Sequence, residues 1–261
     1  MHSKFLMSAW ALAMALAVPS AAQITVAAAA DLNAALTEIA ARYEKSGGGA
    51  VRLSFGSSGN LFNQILNGAP FDVFFSADLD YPSKLIEAGL AEKSSFYHYA
   101  VGQLVLWVPA SSPLDVEHRR MDCLLDPSVK RISLANPEHA PYGRAAVAAL
   151  HHFGLYEKVS DRFVLGENVS QAAQFVESGN AQIGFIALSH ALAPGMKEKG
   201  RYWIIPQDSY PALQQAVVVL SHSSKKSDAA AFVDYLKKAE SGEVLRRYGF
   251  SVPEKAPEVK P

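Results

Sequence analysis

Residues 24–49 read ITVAAAADLNAALTEIAARYEKSGGG, a short apolar run followed by a segment with helical periodicity. Residues 24–28 predict a buried strand, and the apolar positions after them recur every three or four residues, as one face of an amphipathic helix requires: Leu32, Leu36, Ile39 and Tyr43. The glycines at 47–49 end this helix. A strand that leads directly into a helix is the repeating unit of α/β proteins.

The same alternation continues along the rest of the chain. Apolar stripes at helical spacing also occur within residues 147–153 and 169–176, and Gly154 ends the first of these helices. The pattern predicts an α/β fold with a largely parallel sheet. Further strands are predicted at residues 51–55, 72–76, 101–108, 131–134, 162–165, 181–186, 202–205 and 216–220.

Two of these strands, 101–108 and 202–205, are predicted to cross between two lobes. The first lobe is then discontinuous, residues 23–102 plus 204–261, and residues 103–203 form the second lobe. Residues 1–22 belong to neither. Lys4 precedes an apolar stretch that is too short to span a bilayer, and the small residues up to Ala22 suit a signal peptidase. This segment predicts a cleaved export signal and a periplasmic location.

Composition excludes several classes of protein. Of 261 residues, 49% are hydrophobic and 19% charged, which is typical of folded globular proteins. The 24 basic and 25 acidic side chains give no basic excess for a nucleic-acid partner, so any bound anion must be held locally. Cys123 is the only cysteine, which excludes an internal disulfide. Because Gln23, not a cysteine, stands directly after the signal segment, we expect a free protein rather than a lipid-anchored one.

Four predicted helices begin directly after a strand with small or polar residues. The free backbone N–H groups of a helix start, together with the positive end of the helix dipole, bind an oxyanion without a formal positive charge. In parallel α/β sheets the ligand crevice lies at the carboxyl ends of the strands, where these turns belong. Simple helix capping is the alternative interpretation of each turn. The four starts are Ala30-Asp31, Gly56-Ser57-Ser58-Gly59, Pro141-Tyr142-Gly143 and Asn168-Val169-Ser170.

Five segments together resemble the periplasmic molybdate-binding proteins of ABC transporters, the ModA-like family. They are ITVAAAADL at 24–32, FGSSG at 55–59, APFDVFFSAD at 69–78, NPEHAPYG at 136–143 and RYGF at 247–250. The resemblance implies a type II periplasmic-binding-protein fold, two α/β lobes joined by two crossing strands. It also implies a receptor, not an enzyme, that closes over molybdate or tungstate and delivers it to a membrane ABC permease. We expect a monomer without a cofactor.

The resemblance also implies the ligand-binding positions, which fall on Asp31, Ser58, Tyr142, Val169 and Ala187. Ser58 keeps the expected hydroxyl donor, and Val169 is expected to act through its backbone N–H. At Ala187 the sequence lacks the tyrosine that some members have. We expect the phenol of Tyr142, which replaces a small residue of those members, to reach the same cavity.

Asp31 departs further from the family pattern, because a carboxylate beside a dianion is repelled. Two unit charges 4 Å apart at an effective dielectric of 20 repel by roughly 4 kcal/mol. The side chain is therefore expected to turn away, cap its helix by accepting the N–H of Ala34, and leave backbone N–H groups at Ala30 or Asp31 for the ligand. Arg144 has two open interpretations, a ligand contact or a solvated helix position.

The same residues allow alternative functions. A receptor for sulfate or phosphate would use the same kind of donors, so the central atom of the oxyanion stays open. The GSSG run at 56–59 resembles the nucleophile elbow of a serine hydrolase, but Asn60 stands where that motif requires glycine. His139 and the adjacent pair His151 and His152 lack the spacing of metal ligands and are interpreted as surface or capping residues. No bare metal ion is predicted.

Overall fold

The computed structural model of the chain describes residues 23–253. The predicted export signal at 1–22 and nearly all of the predicted loose tail at 253–261 lie outside these residues. Each predicted strand overlaps an observed one. The first sheet contains β1 Ile24–Ala29, β2 Val51–Gly56, β3 Val73–Ser76, β4 Tyr97–Gly102 and β10 Leu213–Val219, and the second contains β5 Leu104–Pro109, β6 Ile132–Ala135, β7 Phe163–Gly166, β8 Ile183–Ala187 and β9 Gly200–Ile204.

Helices connect the strands and cover the sheets. None of the helices among residues 23–253 has the length and apolar character needed to cross a membrane. The α-helices are α1 Asn33–Lys45, α2 Ser58–Leu66, α3 Asp80–Glu87, α4 Val116–Arg119, α5 Pro141–His152, α6 Tyr156–Val159, α7 Val169–Glu177, α8 Leu188–Ala191, α9 Lys226–Leu236 and α10 Ala239–Arg247. Short 3-10 turns lie at Ala30–Leu32, Lys93–Ser95, Arg120–Leu125, Ser160–Arg162 and Gln207–Ser209.

Each sheet with its helices forms one lobe, and this confirms the predicted fold of two α/β lobes. The strand order is β2-β1-β3-β10-β4 in the first lobe and β7-β6-β8-β5-β9 in the second. The sheets are more mixed than predicted. The pairs β1–β2, β1–β3, β6–β7 and β6–β8 are parallel, whereas β10 and β5 pair antiparallel with both of their neighbours. β5 and β10 are the first strands after the two crossings between the lobes.

The predicted crossing strand at 101–108 is wrong as one element, because it divides into β4 and β5 at Gln103. At this point two backbone groups form hydrogen bonds outside the two sheets. The N–H of Leu104 donates to the hydroxyl of Tyr210 at 3.1 Å, and the carbonyl of Gln103 accepts the N–H of Leu188 at 2.9 Å. The chain returns from β9 to β10 through residues 205–212. The exact lobe boundaries, 102/103 and 203/204, stay a prediction.

The apolar stripes of the sequence pack as helix faces should. Leu36 and Ile39 of α1 are fully buried against the first sheet, and Val176 of α7 is fully buried in the second lobe. Gly47 and Gly154 follow the ends of their helices with φ of 92° and 63°, the left-handed conformation that ends a helix. Burial of these faces fixes the helix starts at one edge of each sheet, where the two lobes meet.

Candidate functional site: a cavity between the lobes

A small cavity lies between the two lobes, and all four predicted helix starts border it. Each start follows the carboxyl end of a strand, β1, β2, β6 or β7, or the turn after it, so the sheets bring these turns to a common point. The cavity wall contains no lysine or arginine among the described residues. Its lining consists of Ala29, Ala30, Asp31, Gly56, Ser57, Ser58, Ala77, Ala140, Pro141, Tyr142, Asn168 and Val169.

The start of α2 supplies a hydroxyl whose orientation is fixed. Ser57 is the N-cap, and its Oγ accepts the N–H of Asn60 at 3.3 Å. Ser58 follows it, fully buried, and its Oγ accepts the N–H of Ala77 at 2.9 Å. Because this bond occupies a lone pair of Oγ, the hydroxyl proton of Ser58 remains available for an acceptor in the cavity.

The starts of α5 and α7 supply backbone donors from the second lobe. Pro141 begins α5, and Tyr142 is the next residue. Asn168 caps α7 with its Oδ1, which accepts the N–H of Ser170 at 3.0 Å and that of Gln171 at 3.1 Å. The N–H groups of Tyr142 and Val169 make no hydrogen bond to any other residue of the described chain, as expected in the first turn of a helix.

Asp31 does not cap its helix, which corrects the prediction of a bond from Ala34. A 3-10 turn, Ala30–Leu32, separates β1 from α1, so Leu32 occupies the cap position and no side chain caps the helix. The Asp31 carboxyl instead lies in the core of the site, only 2% exposed. Its Oδ2 accepts the Nε2 of Gln215 at 2.6 Å, and the Gln215 Oε1 accepts the hydroxyl of Tyr99 at 2.8 Å.

Asp31 and Tyr142 face each other from opposite lobes with buried polar atoms that lack partners. The Oδ1 of Asp31 and the hydroxyl of Tyr142 are both inaccessible, and neither has a hydrogen bond of acceptable geometry within residues 23–253. Burial raises the pKa of the Asp31 carboxyl to about 6, against the opposing effects of the bond from Gln215 and of the nearby Tyr142 hydroxyl. Burial and the neighbouring Asp31 carboxyl raise the pKa of Tyr142 well above its usual value, so its phenol stays protonated.

Direct contacts hold the lobes together beside the cavity. Gly59 N–H donates to the carbonyl of His139 at 2.9 Å, and the Nδ1 of His139 lies 2.9 Å from Ser57 Oγ. His139 is therefore a contact between lobes, not a surface or capping residue. Arg144 lies at an exposed position of α5, which agrees with the solvated helix position of its two interpretations, and its guanidinium pairs with the Asp78 carboxylate of the first lobe at 2.6 Å.

Ala187 is the one predicted ligand position that does not line the cavity. It ends β8, pairs with Leu104 of β5 and is fully buried at the cap of α8. Behind it, Ser189 Oγ donates to the carbonyl of Asp31 at 2.6 Å. The other four predicted positions, Asp31, Ser58, Tyr142 and Val169, are brought together. Their roles towards a ligand stay a prediction.

Sequence reasoning missed Gln215 and Asp78. Gln215 lies in the run LQQAVVVL, where a polar residue inside a predicted buried strand was the only available signal, and its full burial explains why it needs a partner. Asp78 gave no local signal, because its contact with Arg144 spans 66 positions of sequence. Among the described residues no group of three or more His, Cys, Asp or Glu side chains has the arrangement of a metal site.

Two α/β lobes that meet over a cavity of helix starts and hydroxyl groups define a solute-binding protein of the periplasmic-binding-protein class. The chain belongs to the family of bacterial extracellular solute-binding proteins, whose model matches residues 24–251. The resemblance predicted from the sequence motifs is thereby confirmed at the level of the family.

Relatives within this family are similar over nearly the whole chain. The molybdate-binding protein ModA of Rhodobacter capsulatus is 38% identical over 244 residues, 93% of this chain and 94% of that protein. ModA of Azotobacter vinelandii is 40% identical over 232 residues, 89% of this chain and 91% of that protein. The solved structure of the A. vinelandii periplasmic molybdate-binding protein matches with a TM-score of 0.83 and 34% identity, and covers 88% of this chain and all of that one.

Proposed function

We propose that the chain is a periplasmic receptor that captures molybdate, and also tungstate, between its lobes and delivers the anion to a membrane ABC permease. The observation that carries the proposal is the convergence of four helix starts on one cavity without a cationic side chain. The similarity to two proteins named as molybdate-binding supports the choice of oxyanion.

The donors suit a small tetrahedral anion. Ser58 offers its hydroxyl from the first lobe, and Tyr142 and Val169 offer backbone N–H groups from the second lobe. Neutral donors fixed in a buried cavity stabilise a desolvated anion only when their number and geometry match its oxygens. Size then separates molybdate and tungstate from the smaller sulfate. The hydroxyl of Tyr142 adds a donor that Ala187 cannot provide.

Binding is proposed to favour the closed arrangement, since the donors come from both lobes. The moving units are residues 23–102 plus 204–261 and residues 103–203. No covalent step is assigned to the site, and the receptor is proposed to act as an exported monomer without a cofactor. The bonding of Ser58, which stands at the serine position of the nucleophile-elbow pattern, supports this, because its Oγ accepts the N–H of Ala77 and has no histidine partner among the described residues.

Isothermal titration of residues 23–261 with molybdate, tungstate, sulfate and phosphate at pH 6 tests the proposal. We expect tight one-to-one binding of molybdate and tungstate alone. Binding of sulfate or phosphate instead would mean that the protein is an oxyanion receptor with a different ligand. A lack of heat with all four anions would contradict the proposal. Sedimentation of the same sample reports whether the receptor is a monomer.

A further inference from the structure

We propose that the receptor takes up one proton with each oxyanion, and that this proton is held between the Asp31 carboxyl and an oxygen of the ligand. The inference rests on the proposed function and concerns the same cavity. It makes Asp31 a proton-dependent donor of the site, so that the affinity for a fully ionised oxyanion depends on pH.

The first step is the orientation of the carboxyl. Gln215 Nε2 donates to Oδ2 of Asp31 at 2.6 Å, and Oε1 of the same amide accepts the hydroxyl of Tyr99 at 2.8 Å. Oδ2 is therefore occupied, and Oδ1 is the atom without a partner among residues 23–253. The hydroxyl of Tyr142, equally buried, approaches the same carboxyl from the other lobe without a hydrogen bond of good geometry, so an oxygen of the ligand can be inserted between them.

The second step is the charge around the carboxyl. The groups that act on it are the side chains of Gln215 and Tyr142 and the backbone of Asp31 and Leu32, none of which is cationic. The 3-10 turn that carries Asp31 also packs on α1, α7 and α8. Of the titratable side chains on these helices, His190 reaches this turn through Ser170, whose Oγ lies 2.7 Å from His190 Nε2 and donates to the Ala30 carbonyl at 3.2 Å. Burial lowers the pKa of His190 to about 4, so it is neutral above pH 5. Tyr99 is neutral as well, because burial raises its pKa far above its usual value.

The remaining charged pair at the cleft does not compensate Asp31. Arg144 is bound to the Asp78 carboxylate at 2.6 Å on the other side of Pro141 and is half-exposed. A dianion next to an ionised Asp31 would therefore place three negative charges in one buried cavity. Uptake of one proton from solvent lowers the number of negative charges in the cavity to two. It also converts Oδ1 from an acceptor, which repels an oxyanion, into an O–H donor.

Burial already raises the pKa of the free carboxyl to about 6, and a bound dianion raises it further. Between these two values the free receptor is ionised and the complex is protonated. Linkage then requires the association constant to fall tenfold for each unit of pH in this interval. Below pH 6 the carboxyl is protonated in both states, and the affinity becomes independent of pH.

Titration of the unmodified receptor with micromolar molybdate at pH 6, 7, 8 and 9 tests the proposal. At pH 8 the titration is repeated in two buffers of different ionisation enthalpy, which counts the protons taken up. We expect Kd to rise about tenfold per pH unit between pH 7 and 9, with about one proton taken up per anion at pH 8. The number of protons taken up is measured on the unmodified receptor, so this test does not depend on whether a variant folds.

Two variants locate the proton. In Asp31→Asn we expect Kd to vary less than twofold from pH 6 to 9, with no proton uptake. Asp78→Asn, which neutralises the partly buried carboxyl paired with Arg144 at the cleft, should keep the slope of the parent. A Kd that is constant from pH 7 to 9 in the parent, or a slope that persists in Asp31→Asn, would overturn the proposal. Absence of molybdate binding at pH 6 would instead overturn the proposed function.

Discussion

The backbone N–H of Gly59 in the first lobe donates to the carbonyl of His139 in the second at 2.9 Å. This approach is possible because Gly59 has no side chain. A Cβ at this position would lie 2.6 Å from the His139 oxygen and 2.9 Å from its Cα, both of them closer than real Cβ contacts. The closed contact of the two lobes therefore depends on a glycine beside the cavity between them.

Gly59→Ala should weaken oxyanion binding without unfolding either lobe. The added Cβ meets the His139 backbone where the lobes meet, whereas the close atom within the first lobe, the Tyr81 hydroxyl at 2.5 Å, ends a side chain that can move. We expect at least a tenfold rise in Kd for molybdate, about 1.4 kcal/mol, with little change in the thermal midpoint of the free protein. Titration calorimetry and a thermal scan measure the two quantities. Gly195→Ala is the matched control, since a Cβ there meets nothing within 4 Å. Equal affinity of the two variants would contradict this role of Gly59.

Tyr142→Phe removes the buried hydroxyl that faces Asp31 and leaves the packing of the ring. If this hydroxyl donates to the oxyanion, binding should weaken by about 1–3 kcal/mol, the cost of removing one partner of a buried hydrogen bond. The measurement is Kd for molybdate at pH 6. Tyr202→Phe, in β9 of the second lobe, serves as the control and should bind like the parent. An unchanged Kd in Tyr142→Phe would remove its hydroxyl from the site.

Asp31 should make the free protein less stable as the pH rises. Its pKa is raised from 3.8 to about 6 in the folded state, so its contribution to stability is fully present below pH 3.8 and is lost as the pH passes 6. The shift corresponds to about 3 kcal/mol at 1.36 kcal/mol per unit. Asp31→Asn lacks this dependence. In urea unfolding, the stability of the variant relative to the parent should increase between pH 4 and 7, whereas a constant difference would argue against a raised pKa.

The pair of Arg144 and Asp78 should contribute only modestly to closure. The Arg144 side chain is 42% exposed, and solvent-screened ion pairs contribute about 0–1 kcal/mol. Arg144→Gln should therefore raise Kd for molybdate less than about fivefold, and the effect should shrink in high salt. Arg246→Gln, on an exposed position of α10, is the control. A loss as large as that of Gly59→Ala would mean that Arg144 contacts the ligand after all.

The fold was predictable from the sequence because apolar periodicity and helix starts are local signals. Four turns on separate strands, among them those at Ser58 and Val169, were expected at one edge and are found at one cavity. The side chain of Asp31 was not predictable. Its environment is set by Gln215, 184 positions away, and by a 3-10 turn that displaces the helix cap to Leu32. Such long-range partners leave no trace in the local pattern of residues.

Gln215 itself offers the last test, because Gln215→Glu would place a second carboxyl against Asp31 in a buried site. Two unit charges 4 Å apart at an effective dielectric of 20 repel by about 4 kcal/mol, so the pair should retain a shared proton and lose stability when both groups ionise. We expect a lower free energy of unfolding and weaker molybdate binding at pH 8, with both restored towards pH 5.5. Gln214→Glu, exposed on the same strand, should behave like the parent at either pH. If Gln215→Glu and the parent differed in molybdate affinity by the same factor at pH 5.5 and pH 8, the hydrogen bond from Gln215 would not govern the charge of Asp31.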